Sequence, residues 1–139
     1  MMVSESKVKV RYQETDQMGV VYHANYLVWF EIGRTDFIEE LGFQYHEMEL
    51  SGYMSPLIDA DMQFKQPLRY GQTALVKTWL EAYDGLRVTY GYEVQTPDGQ
   101  TAVTGHTKHV CVKKENFKPV SIRKVFPEWH EAYERAKGE

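Results

Sequence analysis

The longest apolar pattern in the chain runs from Ala24 to Leu41 and predicts one long helix. One face of this helix repeats at intervals of three and four residues, and its members are Tyr26, Phe30, Gly33, Phe37 and Leu41. The other faces are also largely apolar, so we expect other elements to enclose the helix. Gly33 costs a helix about 1 kcal/mol relative to alanine, which predicts a close approach by a backbone or an aromatic ring. Gly42 is suited to end the helix in a left-handed cap.

Alternating polar and apolar residues on both sides of this helix predict strands. The first run covers residues 7–13, and its apolar face contains Val8, Val10 and Tyr12. A second run covers residues 58–65 and is stopped by Pro67. Between the long helix and this second strand, residues 43–56 are compatible with a short helix that ends near Gly52.

Three longer runs between residues 73 and 113 predict an antiparallel meander. They are separated by Asp84-Gly85 and Asp98-Gly99, dipeptides that favour tight hairpin turns with positive φ angles. The middle run has one apolar face, which consists of Leu86, Val88, Tyr90, Tyr92 and Val94. Residues 114–124 indicate a loop, and Pro127 is suited to start a short C-terminal helix that docks on the surface.

These elements together predict an α+β hot-dog fold, in which an antiparallel sheet of about five strands wraps around the long central helix. We expect residues 1–139 to form a single domain, because a chain of this length can bury a sufficient core without disulfides. Long, regular edge strands would be exposed in a monomer. We therefore expect the sheets to pair in a homodimer or homotetramer.

Composition narrows the function classes. The net charge of -4 argues against nucleic acid as the main partner, because phosphate binding requires clustered Lys and Arg. The single cysteine, Cys111, cannot form an intrachain disulfide, and no apolar run is long enough for a membrane span or follows a basic N-terminus as in a signal peptide. We therefore expect a cytoplasmic protein. The aromatic content of 14% is typical of a well-filled core or an apolar pocket.

Candidate chemistry lies in residues 16–26, where Asp16 comes just ahead of the long helix. The free N–H groups at a helix N-terminus carry partial positive charge, so they can hold an oxyanion or keep a nearby carboxylate ionised. A structural interpretation is equally open at this point. Asp16 and Gly19 can form an ordinary turn, and Asp16 or Asn25 can simply cap the helix.

The segment from Tyr12 to Tyr26 closely resembles the signature of the 4-hydroxybenzoyl-CoA thioesterase family, in particular its bacterial Tol-Pal-associated type. Phe30-Glu31 and Arg34-Thr35 extend the resemblance along the helix. The resemblance implies that Asp16 is the catalytic residue and that the backbone N–H of His23 polarises the thioester carbonyl. It also implies substrate contacts by Gly19, Val20, Tyr22, Asn25 and Tyr26.

Two positions in this segment vary within the family. Founding members carry tyrosine where this chain has His23, whereas the Tol-Pal-associated type carries histidine, so the imidazole and the backbone amide are both candidates for catalysis. Glu14 stands where the Tol-Pal-associated type often has aspartate.

The implied reaction is hydrolysis of an acyl-CoA thioester, with Asp16 as nucleophile or as general base on water. No metal or other cofactor is required. The candidates to bind the CoA phosphates are Arg87, Lys113 or Lys114, although each side chain is better explained as an ordinary solvated charge. The alternative function is a non-catalytic acyl-CoA-binding or assembly protein on the same scaffold. A hot-dog dehydratase is disfavoured, because no His-Phe-Pro segment is present.

Other reactive residue types are interpreted as structural. Cys111 lies in an alternating strand without an activating neighbour, so we expect a small buried side chain. His106 and His109 are three apart on a predicted strand and should point to opposite faces, which disfavours a shared metal.

Overall fold

A computed structural model describes residues 1–138 of the chain. The strands are β1 (Val3–Lys9), β2 (Tyr53–Met54), β3 (Leu57–Phe64), β4 (Thr73–Tyr83), β5 (Arg87–Gln95), β6 (Thr101–Val110) and β7 (Val112–Lys113). The helices are α1 (Asn25–Glu40), α2 (Tyr45–Leu50), α3 (Ile122–Val125) and α4 (Pro127–Ala136), and a 3-10 turn covers Tyr12–Glu14.

Five antiparallel strands form the main sheet in the order β1-β4-β5-β6-β3, so β1 and β3 are its two edges. The predicted meander is confirmed as β4, β5 and β6. Both predicted hairpin turns contain a glycine in the left-handed region, with φ of 90° at Gly85 and 86° at Gly99. The face predicted for the middle strand is buried from Val88 to Val94, whereas Leu86 lies in the turn before β5. A separate small sheet pairs β2 with β7.

Helix α1 packs its aromatic face onto this sheet. The ring of Phe30 stacks on Tyr92 of β5 with a centroid distance of 4.1 Å and an angle of 4° between planes. The helix ends as predicted at Gly42, which has a φ of 97°. The amide of Gly42 donates to the Glu39 carbonyl and that of Phe43 to the Ile38 carbonyl, the two bonds of a Schellman cap.

The expectation that α1 is enclosed on all sides is wrong within one chain. The sheet covers only the face that contains Tyr26, Trp29, Phe30, Gly33, Phe37 and Ile38. On the other face Leu27, Val28 and Ile32 remain 37–46% exposed. The sheet passes one side of α1 only, so this apolar face has no cover from residues 1–138.

Strand β1 begins and ends earlier than predicted. It covers Val3–Lys9 rather than residues 7–13, and Tyr12 lies in the 3-10 turn with 77% of its surface exposed. The inward positions ahead of Val8 are occupied by Ser4 and Ser6, which donate hydrogen bonds to Glu40 and Asp36 of α1. Because these inward residues are polar, apolar alternation could not reveal the true start of the strand.

The C-terminal segment covers one end of the core. The predicted loop at residues 114–124 was only partly right, because α3 begins at Ile122 inside it. Pro127 occupies the first turn of α4, as predicted, and Trp129 of this helix stacks on Phe43 with a centroid distance of 4.9 Å. Within residues 1–138, no helix has both the length and the apolar character needed to cross a membrane.

Candidate active site

The loop ahead of α1 folds into a closed turn around Asp16. The backbone N–H of Asp16 donates to the Val20 carbonyl at 3.0 Å, and that of Gly19 donates to the Asp16 carbonyl at 2.9 Å. The Asp16 carboxylate accepts the Met18 N–H at 2.9 Å through one oxygen, and its second oxygen has no hydrogen-bond partner within residues 1–138. Gly19 has a φ of 81°, which explains the glycine at this position. The turn therefore holds Asp16 and leaves one carboxylate oxygen available.

No side chain caps the N-terminus of α1, so the capping interpretation of Asp16 or Asn25 is wrong. The Asn25 side chain instead donates to the Glu14 carbonyl at 2.8 Å, and the Tyr22 amide donates to the same carbonyl at 2.9 Å. The amides of His23 and Ala24 have no acceptor within residues 1–138. A helix N-terminus with two free N–H groups is a site for an anion or a polarised carbonyl oxygen.

Asp16 and this helix start line one cleft of about 330 Å³. Its apolar walls come from Val20, Val21, Tyr26 and Phe64, and His23 and Lys65 add polar groups. The ring of Phe64, the last residue of β3, lies 6.1 Å from Tyr26 and 6.3 Å from His23 between centroids. The structure therefore brings together four of the predicted site residues, which are Asp16, Val20, His23 and Tyr26.

The remaining predicted site residues lie around the cleft. Gly19 lines a second, open cleft of about 540 Å³ on the other side of Asp16, together with the exposed rings of Tyr12 and Tyr70. Tyr22 and Asn25 hold the loop to Glu14, as described above. The Tyr22 amide and the side-chain NH₂ of Asn25 are therefore already used inside the protein.

Comparisons with known proteins identify the family. Residues 10–130 match the thioesterase-like superfamily. The chain belongs to this superfamily. It is 53% identical over 137 residues to "Putative acyl-CoA thioesterase YneP" of Bacillus subtilis (strain 168), with 99% of each chain covered. It is also 37% identical over 116 residues to a "Putative esterase" of Aquifex aeolicus (strain VF5), with 84% of this chain and 88% of the relative covered.

A solved structure of a superfamily member supports the same conclusion for the fold. The DHNA-CoA thioesterase of Staphylococcus aureus superposes with a TM-score of 0.95 at 44% identity, and the match covers 97% of this chain and 91% of that one. The predicted hot-dog fold is thereby confirmed.

Sequence reasoning missed Phe64 and Lys65, which line the cleft, and it gave no role to Glu14, which holds the loop beside it. Glu14 is 5% exposed, and its carboxylate accepts hydrogen bonds from Trp29 Nε1 and from the Arg11 backbone N–H, each at 2.8 Å. Burial alone would raise the pKa of Glu14, but the hydrogen bonds from Trp29 and Arg11 outweigh it and leave the pKa lowered. The signals available in the sequence were its position two residues before Asp16 and the acidic residue that the Tol-Pal-associated type often has at this position.

The basic residues proposed for the CoA phosphates do not approach this site within one chain. Phe64 of β3 pairs with Val103 of β6, which marks the end of the sheet nearest Asp16. Arg87 pairs with Val110 at the other end and forms a 3.8 Å ion pair with Asp84. Lys113 belongs to the small sheet beyond β6, and the amide of the next residue, Lys114, donates to the Gly52 carbonyl beside that sheet. Lys65 is instead the cation that lines the cleft.

The predicted burial of Cys111 is confirmed, and so are the opposite faces of His106 and His109. Cys111 is buried, and burial raises the pKa of its thiol to about 11. His106 is exposed beside Asp61, whereas His109 is buried and its ring contacts Ser55 and Thr107. Residues 1–138 contain no cluster of three or more His, Cys, Asp or Glu side chains placed to hold a metal.

Proposed function

We propose that this chain is an acyl-CoA thioesterase, which hydrolyses a thioester to a carboxylic acid and free CoA. The observation that carries the proposal is the shared cleft, which is lined both by Asp16, a carboxylate with one available oxygen, and by His23, whose backbone amide is free. Membership of the thioesterase-like superfamily and the name of the Bacillus subtilis relative support this reading.

The amides of His23 and Ala24 are the proposed donors to the developing oxyanion. The neighbouring Tyr22 amide is not available as a donor, because it is already bonded to the Glu14 carbonyl. Two donors at the N-terminus of a 16-residue helix add their hydrogen bonds to the favourable helix dipole. Each such donor contributes about 3 kcal/mol to transition-state stabilisation in well-studied cases.

Asp16 has two possible roles. As nucleophile, a carboxylate oxygen attacks the carbonyl carbon, the C–S bond breaks to release CoA thiolate, and water then hydrolyses the mixed anhydride. As general base, Asp16 takes a proton from water, the resulting hydroxide attacks the carbonyl carbon, and the thiolate leaves. Appearance of heavy oxygen from labelled water on Asp16 after one turnover would identify the nucleophilic route.

The cleft walls favour an apolar or aromatic acyl group, because Tyr26 and Phe64 present rings next to Asp16. Lys65 is available to a negative or carbonyl group of the same substrate. The solved Staphylococcus aureus relative is named for DHNA-CoA, which makes this compound one substrate to test. The narrower assignment to the Tol-Pal-associated type stays a prediction.

A second copy of the chain is the proposed partner. Edge strand β3 leaves Leu57 and Ile58 45% and 49% exposed, and its last residue, Phe64, is 55% exposed although it lines the cleft. Pairing of β3 with its copy would cover these side chains and close one side of the cleft. The active unit is therefore proposed to be a dimer or a dimer of dimers.

Release of free thiol from a panel of short, long and aromatic acyl-CoAs, DHNA-CoA included, tests the function. We expect turnover of at least one class. The alternative, a non-catalytic acyl-CoA-binding or assembly protein, predicts binding without thiol release. Binding of every compound in the panel without turnover would therefore contradict the enzyme.

A further inference from the structure

We propose that Glu14 is a positioning residue that keeps Asp16 at a fixed distance from the free amides of His23 and Ala24. The proposal rests on the proposed function, in which Asp16 and these amides act on the same carbonyl. Glu14 does not line the cleft, so it would act only through the two groups that it holds.

The backbone carbonyl of Glu14 joins the two halves of the site. It accepts hydrogen bonds from the Tyr22 amide at 2.9 Å and from the Asn25 side chain at 2.8 Å, so it fixes the residues on both sides of His23 and Ala24. Glu14 is also two residues from Asp16 in the same tight loop. Any shift of the Glu14 backbone therefore changes the distance between the carboxylate of Asp16 and the free amides.

The side chain of Glu14 also keeps this backbone in place, through bonds to residues other than those that its carbonyl binds. One carboxylate oxygen accepts the Arg11 backbone N–H at 2.8 Å, and the other accepts Trp29 Nε1 at 2.8 Å. The Arg11 guanidinium adds a contact at 3.3 Å, which contributes little because the Arg11 side chain is 70% exposed. Trp29 is fully buried in α1, so Glu14 is tied to the rigid core of the helix.

Only a carboxylate satisfies all of these donors. Asp and Glu accept hydrogen bonds through both oxygens, whereas glutamine has one acceptor and one NH₂ donor. In Glu14→Gln the amide oxygen can serve Arg11 or Trp29 but not both, and the NH₂ group then faces another N–H. The loop has to shift to relieve this donor–donor contact, and it carries Asp16 with it.

Glu14→Gln should lower kcat by about 10- to 100-fold while KM changes little, because misplacement of a catalytic group by about 1 Å has an effect of this size. Trp29→Phe should lower kcat less, since it removes one donor and leaves the carboxylate bonded to Arg11. The double variant should be no less active than Glu14→Gln alone, because both changes break the same link.

Asp36→Asn is the matched control. Asp36 also joins α1 to the chain before it, through a 2.5 Å hydrogen bond from Ser6, but it lies on the helix far from Asp16 in sequence. The side-chain oxygen of asparagine can still accept this bond, so the variant should melt close to wild type and keep kcat. Equal loss of kcat in Glu14→Gln and Asp36→Asn would reduce Glu14 to a general stabilising residue and overturn the proposal.

A second readout does not depend on activity. In the NMR spectrum, Glu14→Gln should shift the Trp29 indole N–H and the amides of His23 and Ala24, whereas Asp36→Asn should leave these three signals in place. Unchanged His23 and Ala24 signals would contradict the proposal even if the protein hydrolysed nothing. If Glu14→Gln does not fold, kcat and the His23 and Ala24 amide signals are measured on Trp29→Phe instead. An inactive wild-type protein would contradict the proposed function instead.

Discussion

Gly33 of α1 lies directly against the side chain of Thr78 on β4. A Cβ added to Gly33 would overlap Thr78 Oγ1 and lie 3.1 Å from Val76 Cγ1. Thr78 is fully buried, and its hydroxyl has no hydrogen-bond partner within residues 1–138. The close approach predicted from a glycine in mid-helix is confirmed, although the approaching group is a threonine side chain rather than a backbone or a ring.

Gly33→Ala should therefore destabilise the protein despite the better helix propensity of alanine. Alanine gains about 1 kcal/mol of propensity, whereas forcing a methyl group into a packed core costs about 1–3 kcal/mol. We expect a lower urea midpoint with an unchanged m-value. Thr78→Ala makes room and should rescue Gly33→Ala, whereas Thr78→Val keeps the crowding and should not. Rescue by both, or by neither, would contradict this account.

The buried His109 predicts how stability changes with pH. Burial, with the nearby Arg34 guanidinium, lowers the pKa of His109 to about 4 against an unperturbed value near 6.5. Between these two values the unfolded chain binds the proton and the folded protein does not. Stability is therefore fully present above about pH 6.5 and is lost as pH falls toward 4, by up to about 3 kcal/mol.

His109→Gln should remove this loss, so its urea midpoint should change less than that of wild type between these pH values. The matched control is His106→Gln, because His106 lies on the other face of β6 and is 43% exposed. An identical pH profile for wild type and His109→Gln would contradict the burial argument.

The sequence predicted the fold well where side-chain pattern and burial coincide. Alternation located β4 to β6, and the two Asp-Gly dipeptides located their turns, because both signals are local. It failed at β1, where Ser4 and Ser6 occupy inward positions and find acceptors on α1 thirty or more residues away. Polar pairs of this kind are tertiary contacts, and no local pattern can reveal them.

The candidate site shows the same division. The position of Asp16 ahead of the helix could be predicted, because the sequence signals for a turn and for a helix start both come from residues that are adjacent in the chain. The role of Glu14 could not, since it depends on Trp29 in the next element along the chain. The sequence likewise could not show that the Tyr22 amide is bonded inside the loop, because its acceptor, the Glu14 carbonyl, lies eight residues earlier in the chain.

The exposed edge strand predicts a dimer in solution. Light scattering at micromolar concentration should give twice or four times the chain mass of 16.3 kDa. Ile58→Lys on β3 should shift the protein toward monomer and reduce activity, because a charge on the edge opposes strand pairing. Leu50→Lys, which changes an 83% exposed residue on α2, should do neither. A monomeric wild-type mass would contradict the prediction.

Two variants of His23 separate its imidazole from its backbone amide. The imidazole makes no hydrogen bond within residues 1–138, and it lies tilted beside the ring of Tyr22 at 4.3 Å and edge-on to that of Phe64 at 6.3 Å between centroids. His23→Ala keeps the N–H, so its rate should stay well within the roughly 10²- to 10³-fold loss that removal of an oxyanion donor causes. A loss as large as that of an Asp16 variant would make the imidazole a principal catalytic group.

His23→Pro removes the N–H itself. His23 is the second residue of a turn closed by the Asn25 amide and the Tyr22 carbonyl at 2.9 Å, a position where proline is favoured. The turn should therefore form, and activity should fall by about 10²- to 10³-fold. Similar rates for His23→Pro and His23→Ala would refute the assignment of this amide as a donor.

Asp16→Asn tests whether the charge of Asp16 is required. One carboxylate oxygen accepts the Met18 N–H at 2.9 Å, and the side-chain oxygen of asparagine can accept the same bond. The turn should therefore survive, with acyl-CoA binding and thermal melting close to wild type. The available oxygen is replaced by NH₂, which can neither attack a carbonyl carbon nor take a proton from water. Turnover should fall by about 10²- to 10⁴-fold. If Asp16 only shapes the turn, asparagine should serve equally well, so near-equal rates of thiol release would refute its catalytic role.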